Sequence, residues 1–149
     1  MSGSLADRQA ALVAALVAGA DAPPGFDTHR LDAARTALLR KRAGEVGRHW
    51  PLLAAGLGRA WPATFLGWAA GRPTRGGLRD GWDLARTLRA DGTLPPMAAG
   101  ELAVREATSH YDGERPPRLR RLPAVVRVGD AVAVQLAGRV RLHGTRHPG

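Results

Sequence analysis

Residues 50–84 read WPLLAAGLGRAWPATFLGWAAGRPTRGGLRDGWDL, and this stretch decides the fold. All four tryptophans of the chain, Trp50, Trp61, Trp68 and Trp82, fall inside it. Trp61, Phe65 and Trp68 are spaced by four and then three, which places them on one face of a helix. Pro51 disfavours the α conformation at Trp50 and ends the helix before it, Pro62 suits a first helical turn, and Gly58, Gly71 and Gly76-Gly77 punctuate the chain between helices. The stretch is a packing signature of short aromatic helices joined by tight turns. It assembles no nucleophile, base or metal cage. A core position for Trp68 predicts that Trp68→Ala costs about 3–5 kcal/mol; an unchanged melting temperature would assign Trp68 to an interface instead.

Upstream, the spacing predicts a first helix over about residues 5–17, with Leu5, Leu12, Val13, Leu16 and Val17 as its apolar face, Ser4 and Asp7 as a capping pair and Gly19 as its end. A stiff turn over 21–25 follows, with Pro23-Pro24. Asp27 or Thr28 then caps a long basic helix reaching His49, with Leu31, Ala34, Leu38, Leu39 and Val46 at helical spacing. Within residues 50–90, helices are expected at about 52–57, 62–70 and 78–90. Pro95-Pro96 introduces a last helix ending near Ser109.

The period then changes. Residues 112–121 are polar, charged and Pro-bearing and read as a linker. From Pro123 apolar residues alternate: Val126 and Val128, then Val132, Val134 and Leu136, then Val140 and Leu142. Gly129-Asp130 and Ala137-Gly138 are turn candidates. The fold class is therefore mainly α, a bundle of about five to six helices with a small C-terminal antiparallel β-meander. The expected divisions are a helical domain over 1–111, a linker over 112–122 and a short β-rich tail over 123–149. Such a meander is marginal alone and must pack on the helices, on another copy or on a partner.

The formal charge is +9 and the pI about 11.6, which points first to a polyanion. Lys41, however, is the only lysine among 22 basic residues, in a chain crowded with Ala, Gly and Pro. GC-rich codon usage produces that composition without any binding requirement. With no cysteine there are no disulfides and no thiolate chemistry. The apolar run over residues 10–20 is too short to span a bilayer. The capping pair ahead of it favours a first helix of a cytoplasmic protein over a signal peptide.

The histidines, His29, His49, His110, His143 and His147, include no helical pair at metal-ligand spacing, since Gly144 and Pro148 put His143 and His147 in coil. No metal, cofactor or catalytic residue is expected, and the chain reads as a non-enzyme. Asp80 and Asp83, three apart near a helix start, fit capping and dipole stabilisation better than paired-carboxylate catalysis. Gly56-x-Gly58 and Gly76-Gly77 lack the strand and the Gly-Lys-Ser/Thr of a phosphate loop. Two basic clusters remain: Arg40, Lys41 and Arg42 with Arg48 on the second helix, and Arg118, Arg120 and Arg121 before the strands. The first would serve a DNA-binding regulator, the alternative function. The second, with the strand-edge residues Val126, Val128, Val140 and Leu142, would serve an extended peptide added to the sheet.

One order of features ties these segments together: a basic helix, Trp50-Pro51, then Gly58 and the helix of Trp61, Phe65 and Trp68, then Arg72-Pro73-x-x-Gly76-x-x-x-Asp80-Gly81, Trp82, Leu84, Leu88, and finally residues 94–107, LPPMAAGELAVREA. This resembles the N-terminal helical domain of BufC/HvfC-type proteins, labelled a putative DNA-binding domain. It is closer still to an uncharacterised actinobacterial family carrying Arg-Pro-x-x-Gly-x-x-x-Asp-Gly. The resemblance covers roughly residues 5–109. It implies a non-catalytic partner of a multinuclear non-heme iron oxidase that modifies a ribosomally made precursor peptide, with the iron on the oxidase. It also implies a partner interface around the aromatic block, for which Trp61, Trp68, Arg72, Asp80 and Trp82 are the candidates. The long helix departs from the broader family, having no Tyr or Asn over residues 34–42, and the tail is shorter than a full recognition domain.

Overall fold

A computed structural model describes residues 4–25 and 27–144. Six α-helices come first: α1 (Leu5–Ala18), α2 (Thr28–His49), α3 (Pro51–Leu57), α4 (Trp61–Ala69), α5 (Gly77–Ala90) and α6 (Pro96–Thr108), with one 3-10 turn at Gly58–Ala60. A two-stranded ribbon, β1 (Ser109–His110) and β2 (Arg118–Leu119), leads to an antiparallel meander of β3 (Ala124–Val128), β4 (Ala131–Leu136) and β5 (Arg139–His143). This is the helical bundle with a β-meander that the periodicity predicts. His147 and any shielding of a sheet edge by residues 145–149 lie outside the described residues.

Local chemistry sets the boundaries. Ser4 and Asp7 form a reciprocal capping box at α1, and the Asp27 carboxylate accepts the His29 N–H at the start of α2. At α3 the cap comes from far along the chain: the Glu101 carboxylate accepts the Leu53 N–H at 2.8 Å. Burial pushes the Glu101 carboxyl up, an effect softened by that bond and by Arg105.

Trp50, at the α2–α3 junction, and Trp82, on α5, are the largest fully buried side chains, and their rings meet edge-to-face with centroids 5.9 Å apart. Phe65, Leu53, Leu84 and Leu102 complete the interior around them. Trp61 and Trp68 flank Phe65 at 5.5 and 5.9 Å but are only half-buried. The aromatic face is real, and its centre is Phe65. Trp68 stands at the rim of the core, so the full cost of a buried tryptophan applies to Trp50 and Trp82 rather than to Trp68.

α6 is the shared layer. It touches α3 and α5 and also all three strands of the meander. Its small residues Ala98, Ala99, Ala103 and Ala107 let these neighbours approach closely, and Val128, Ala131 and Ala133 join the same buried cluster as Trp82 and Leu102. The segment over 112–121 is also tied to the helices. Tyr111 is buried against Trp82, the Arg120 N–H donates to the Thr108 carbonyl, and the Arg120 Nε donates to the Glu106 carbonyl at 2.9 Å.

Two details differ from the periodicity. The expected apolar face of α1 is largely outside: Leu5, Val13 and Val17 are exposed, and the buried contact is Ala15, near which the Arg35 Nε of α2 bonds the Ala15 carbonyl at 2.7 Å. A helix that packs on a single neighbour buries only a narrow stripe. The second detail is the phase of the sheet. Two-residue turns pair Val128 with Ala131 and Val126 with Ala133, so Ala131, Ala133 and Gln135 share the inner face with Val126 and Val128. Val132, Val134 and Leu136 therefore lie on the opposite, outer face.

Candidate functional site

The Arg72–Asp80 motif organises the centre of the molecule. Asp80, in the first turn of α5, is almost wholly buried, and its carboxylate accepts three donors. The Arg42 Nε of α2 and the Thr74 hydroxyl both donate to Oδ2 at 2.7 Å, and the Arg75 N–H donates to Oδ1 at 2.9 Å. Arg42 also donates to the Arg72 carbonyl at 2.7 Å. The acid thus folds the loop over 72–76 against α2, at the end of the helix where a negative charge is favoured.

The next residue, Gly81, is where α5 passes Trp50. A Cβ at Gly81 would sit 2.1 Å from Trp50 Cδ1, and the indole Nε1 donates to the Leu78 carbonyl at 2.8 Å. No side chain fits there, and that explains the glycine after Asp80 in the motif.

A second carboxylate, Glu106 of α6, accepts the Trp82 Nε1 at 2.8 Å and two Arg86 donors at 2.7 and 3.0 Å. Asp83 does not pair with Asp80. It accepts the Tyr111 hydroxyl at 3.1 Å, and burial holds its carboxyl above the usual carboxylate range, against the pull of that bond and of Arg75 and Arg86. Burial and the neighbouring Asp83 push the Tyr111 hydroxyl up to about 12. Arg105, stacked 4.3 Å over Trp50, is lowered by its own burial.

The candidates from the sequence separate into buried and exposed sets. Of the interface residues, Asp80 and Trp82 are buried, Trp61 and Trp68 are half-buried, and Arg72 is exposed with its guanidinium 5.2 Å over the Trp68 ring. Trp68, Arg72 and Asp80 line one cleft of about 310 Å³ with Arg75 and Asp83. Of the basic cluster on α2, Arg40, Lys41 and Arg48 are exposed, whereas the Arg42 side chain is 11% exposed and committed to Asp80. Arg42 is a structural arginine because its guanidinium neutralises a buried carboxylate.

Near the sheet, Arg118 and Arg121 are exposed, and Arg120 is half-buried and bound to the Glu106 carbonyl. Val128 is buried, Val126 and Val140 pack on the core, and the Leu142 side chain reaches Gly100 of α6. Those four side chains face the helices; only the backbones of their strands lie at the sheet edges. The β3 edge is partly occupied, since Arg89 donates to the Arg127 carbonyl at 3.1 Å. Sequence reasoning picked out the alternating Val132, Val134 and Leu136 and the edge segments 125–128 and 140–142, but missed that Val125, Val132, Val134 and Leu136 share an outer face with Arg127, Arg139 and Arg141. Counting the two-residue turns would have found that face. Among the described residues no group of three or more His, Cys, Asp or Glu could hold a metal ion, and no helix is long and apolar enough to cross a membrane.

The fold and the motif define a small helical domain braced by a buried Arg–Asp pair and closed by an antiparallel sheet. The chain belongs to the SCO6045-like, C-terminal domain family, whose model matches residues 6–90, from α1 to the end of α5. It is also similar to a UPF0276 protein of Streptomyces avermitilis, with 40% identity over 114 residues. That match takes in 76% of this chain and 23% of the Streptomyces protein, so this chain spans less than a quarter of that relative's length. No solved structure matches.

Proposed function

We propose that this protein is a non-catalytic partner of a peptide-modifying multinuclear iron oxidase and helps to hold the ribosomally made precursor peptide. The observation that carries the reading is the Streptomyces match: the same kind of domain there makes up under a quarter of a much longer UPF0276 protein. A domain that recurs attached to a larger body is suited to work beside one. The resemblance of residues 5–109 to BufC/HvfC-type proteins supplies the kind of body, an oxidase, and the kind of substrate, a peptide.

In this reading the half-buried Trp61 and Trp68 with exposed Arg72 contribute to the oxidase contact. The sheet meets the peptide through the backbone of an edge strand, and among the described residues the edge of β5 is less encumbered than that of β3. Arg118 and Arg121 add an attraction for acidic residues that weakens as salt rises.

The test is co-purification of the tagged protein with the iron oxidase encoded beside it, with and without the precursor peptide. A stoichiometric complex that retains the peptide is the expected result. Failure to associate with either would overturn the reading and return weight to duplex binding through Arg40, Lys41 and Arg48, which a salt titration of DNA retention would then measure.

A further inference from the structure

An antiparallel sheet covered on one face ordinarily turns a polar face to water. The outer face of this meander is polar along β5 and at Arg127 of β3 but apolar along its central strand. Cross-strand pairing sets Val125 beside Val134 and Val134 beside Arg141, Arg127 beside Val132 and Val132 beside His143, and Leu136 beside Arg139. The central strand therefore carries an apolar stripe, Val132–Val134–Leu136, widened by Val125. β5 lays a basic rail along its side. Val125 is 71% exposed and Leu136 is 62% exposed, values that mark a surface without a cover among the described residues. Arg139 and Arg141 are exposed and form no ion pair there. The strands contain no acidic residue; Asp130 sits in the turn at the far end from Leu136 and Arg139. A shallow depression of about 560 Å³ runs over Val134, Leu136, Arg139 and Arg141.

We infer that this outer face is a docking surface for an acidic, apolar peptide segment, with its aliphatic side chains on Val134 and Leu136 and its carboxylates on Arg139 and Arg141. Charge complementarity selects the occupant. A purely apolar partner would leave two guanidiniums desolvated against it, and a basic one would be repelled. Arg139 and Arg141 stand two residues apart on one strand, about 6.7 Å, which matches carboxylates at alternate positions of an extended segment. Guanidiniums take carboxylates in a bidentate fork, so Glu or Asp at those positions is recognised by shape as well as by charge. Assigning the segment to a precursor peptide rests on the partner reading above; the surface itself does not depend on it.

The test uses the full chain and a dye-labelled synthetic peptide of alternating Glu and Val or Leu, with its Gln-for-Glu counterpart, read by fluorescence anisotropy. The Glu peptide should bind at least about tenfold more tightly than the Gln peptide, and the difference should shrink as salt is raised. Arg139→Ser with Arg141→Ser should abolish that preference, Leu136→Ser should weaken both peptides, and Arg40→Ser should change nothing, with circular dichroism confirming that each variant is folded. Equal binding of the two peptides, or full binding by the double arginine variant, overturns the inference. So does self-association lost in Leu136→Ser, which would make a second copy the occupant, or displacement of the probe by duplex DNA. If the oxidase co-purifies while the probe fails, this surface is wrong and the partner reading stands. If the probe binds and the oxidase does not, the reverse holds.

Discussion

Arg42 on α2 and Asp80 on α5 lie 38 residues apart in sequence and 2.7 Å apart in space, with the two side chains 11% and 2% exposed. Their pairing closes the loop over 72–76 onto the long helix. Removing one partner leaves the other charge buried without its counter-charge, held only by neutral hydrogen bonds. Arg42→Met or Asp80→Asn should therefore cost about 3–5 kcal/mol in urea denaturation, whereas the exposed neighbour Arg40→Met should stay within about 0.5 kcal/mol. Equal effects at positions 40 and 42 would show that the pair does not brace the fold.

The Gly81–Trp50 contact predicts an overpacking effect. Gly81→Ala would drive a methyl into the indole, whose ring is pinned by its bond to the Leu78 carbonyl. The expected loss is about 1–3 kcal/mol, although alanine is the better helix former. A gain in melting temperature would mean that the indole can step aside.

The tryptophans should rank by burial. Trp50→Ala and Trp82→Ala should each cost about 3–5 kcal/mol, and Trp82→Ala also removes one of the three donors to the Glu106 carboxylate, leaving the two from Arg86. Trp68→Ala, at the rim, should cost clearly less. Three equal losses would place Trp68 in the core after all.

Tyr111 is the single tyrosine, so its titration can be followed cleanly by tyrosinate absorbance. The folded protein should titrate near 12 and the urea-unfolded chain near the ordinary value of about 10. The folded state then holds the proton more tightly, and stability falls as pH rises from about 10 through about 12. A folded-state midpoint at the ordinary value would place the hydroxyl in water.

Asp83 is pushed in the same direction, for the same dominant reason, burial. Its stability contribution is fullest while the carboxyl is protonated and is lost as pH rises through its raised folded value. Asp83→Asn should accordingly match the parent protein below the carboxylate range and gain on it toward neutral pH. A variant less stable at neutral pH than in acid, relative to the parent, would show that the Tyr111 bond outweighs desolvation.

Much of the architecture is legible along the chain because helix ends are local chemistry. Ser4 with Asp7, Asp27, Pro51 and Pro96 mark their helices without reference to anything distant. The brace is not local. Arg42 sits in a run of exposed basic residues and looks like its neighbours, and only the fold supplies the carboxylate that singles it out. The outer face of the sheet was hidden by parity. Valines at alternate positions on β3 and β4 look like one face until the two-residue turn between them is counted. For α1 the periodicity is correct and burial does not follow, because a stripe is covered only where a second element meets it.

The small residues of α6 have a consequence for how this domain can be divided. Ala98, Ala99, Ala103 and Ala107 serve the helices and the sheet at once, so the meander is not a detachable appendage. Cutting the chain at Pro123 would strip a buried surface from α6. A cut ahead of Pro96 fares no better, since α6 would leave with the cap of α3 at Glu101 and the partner of Trp82 at Glu106; a graft between relatives has to carry the helices and the sheet together.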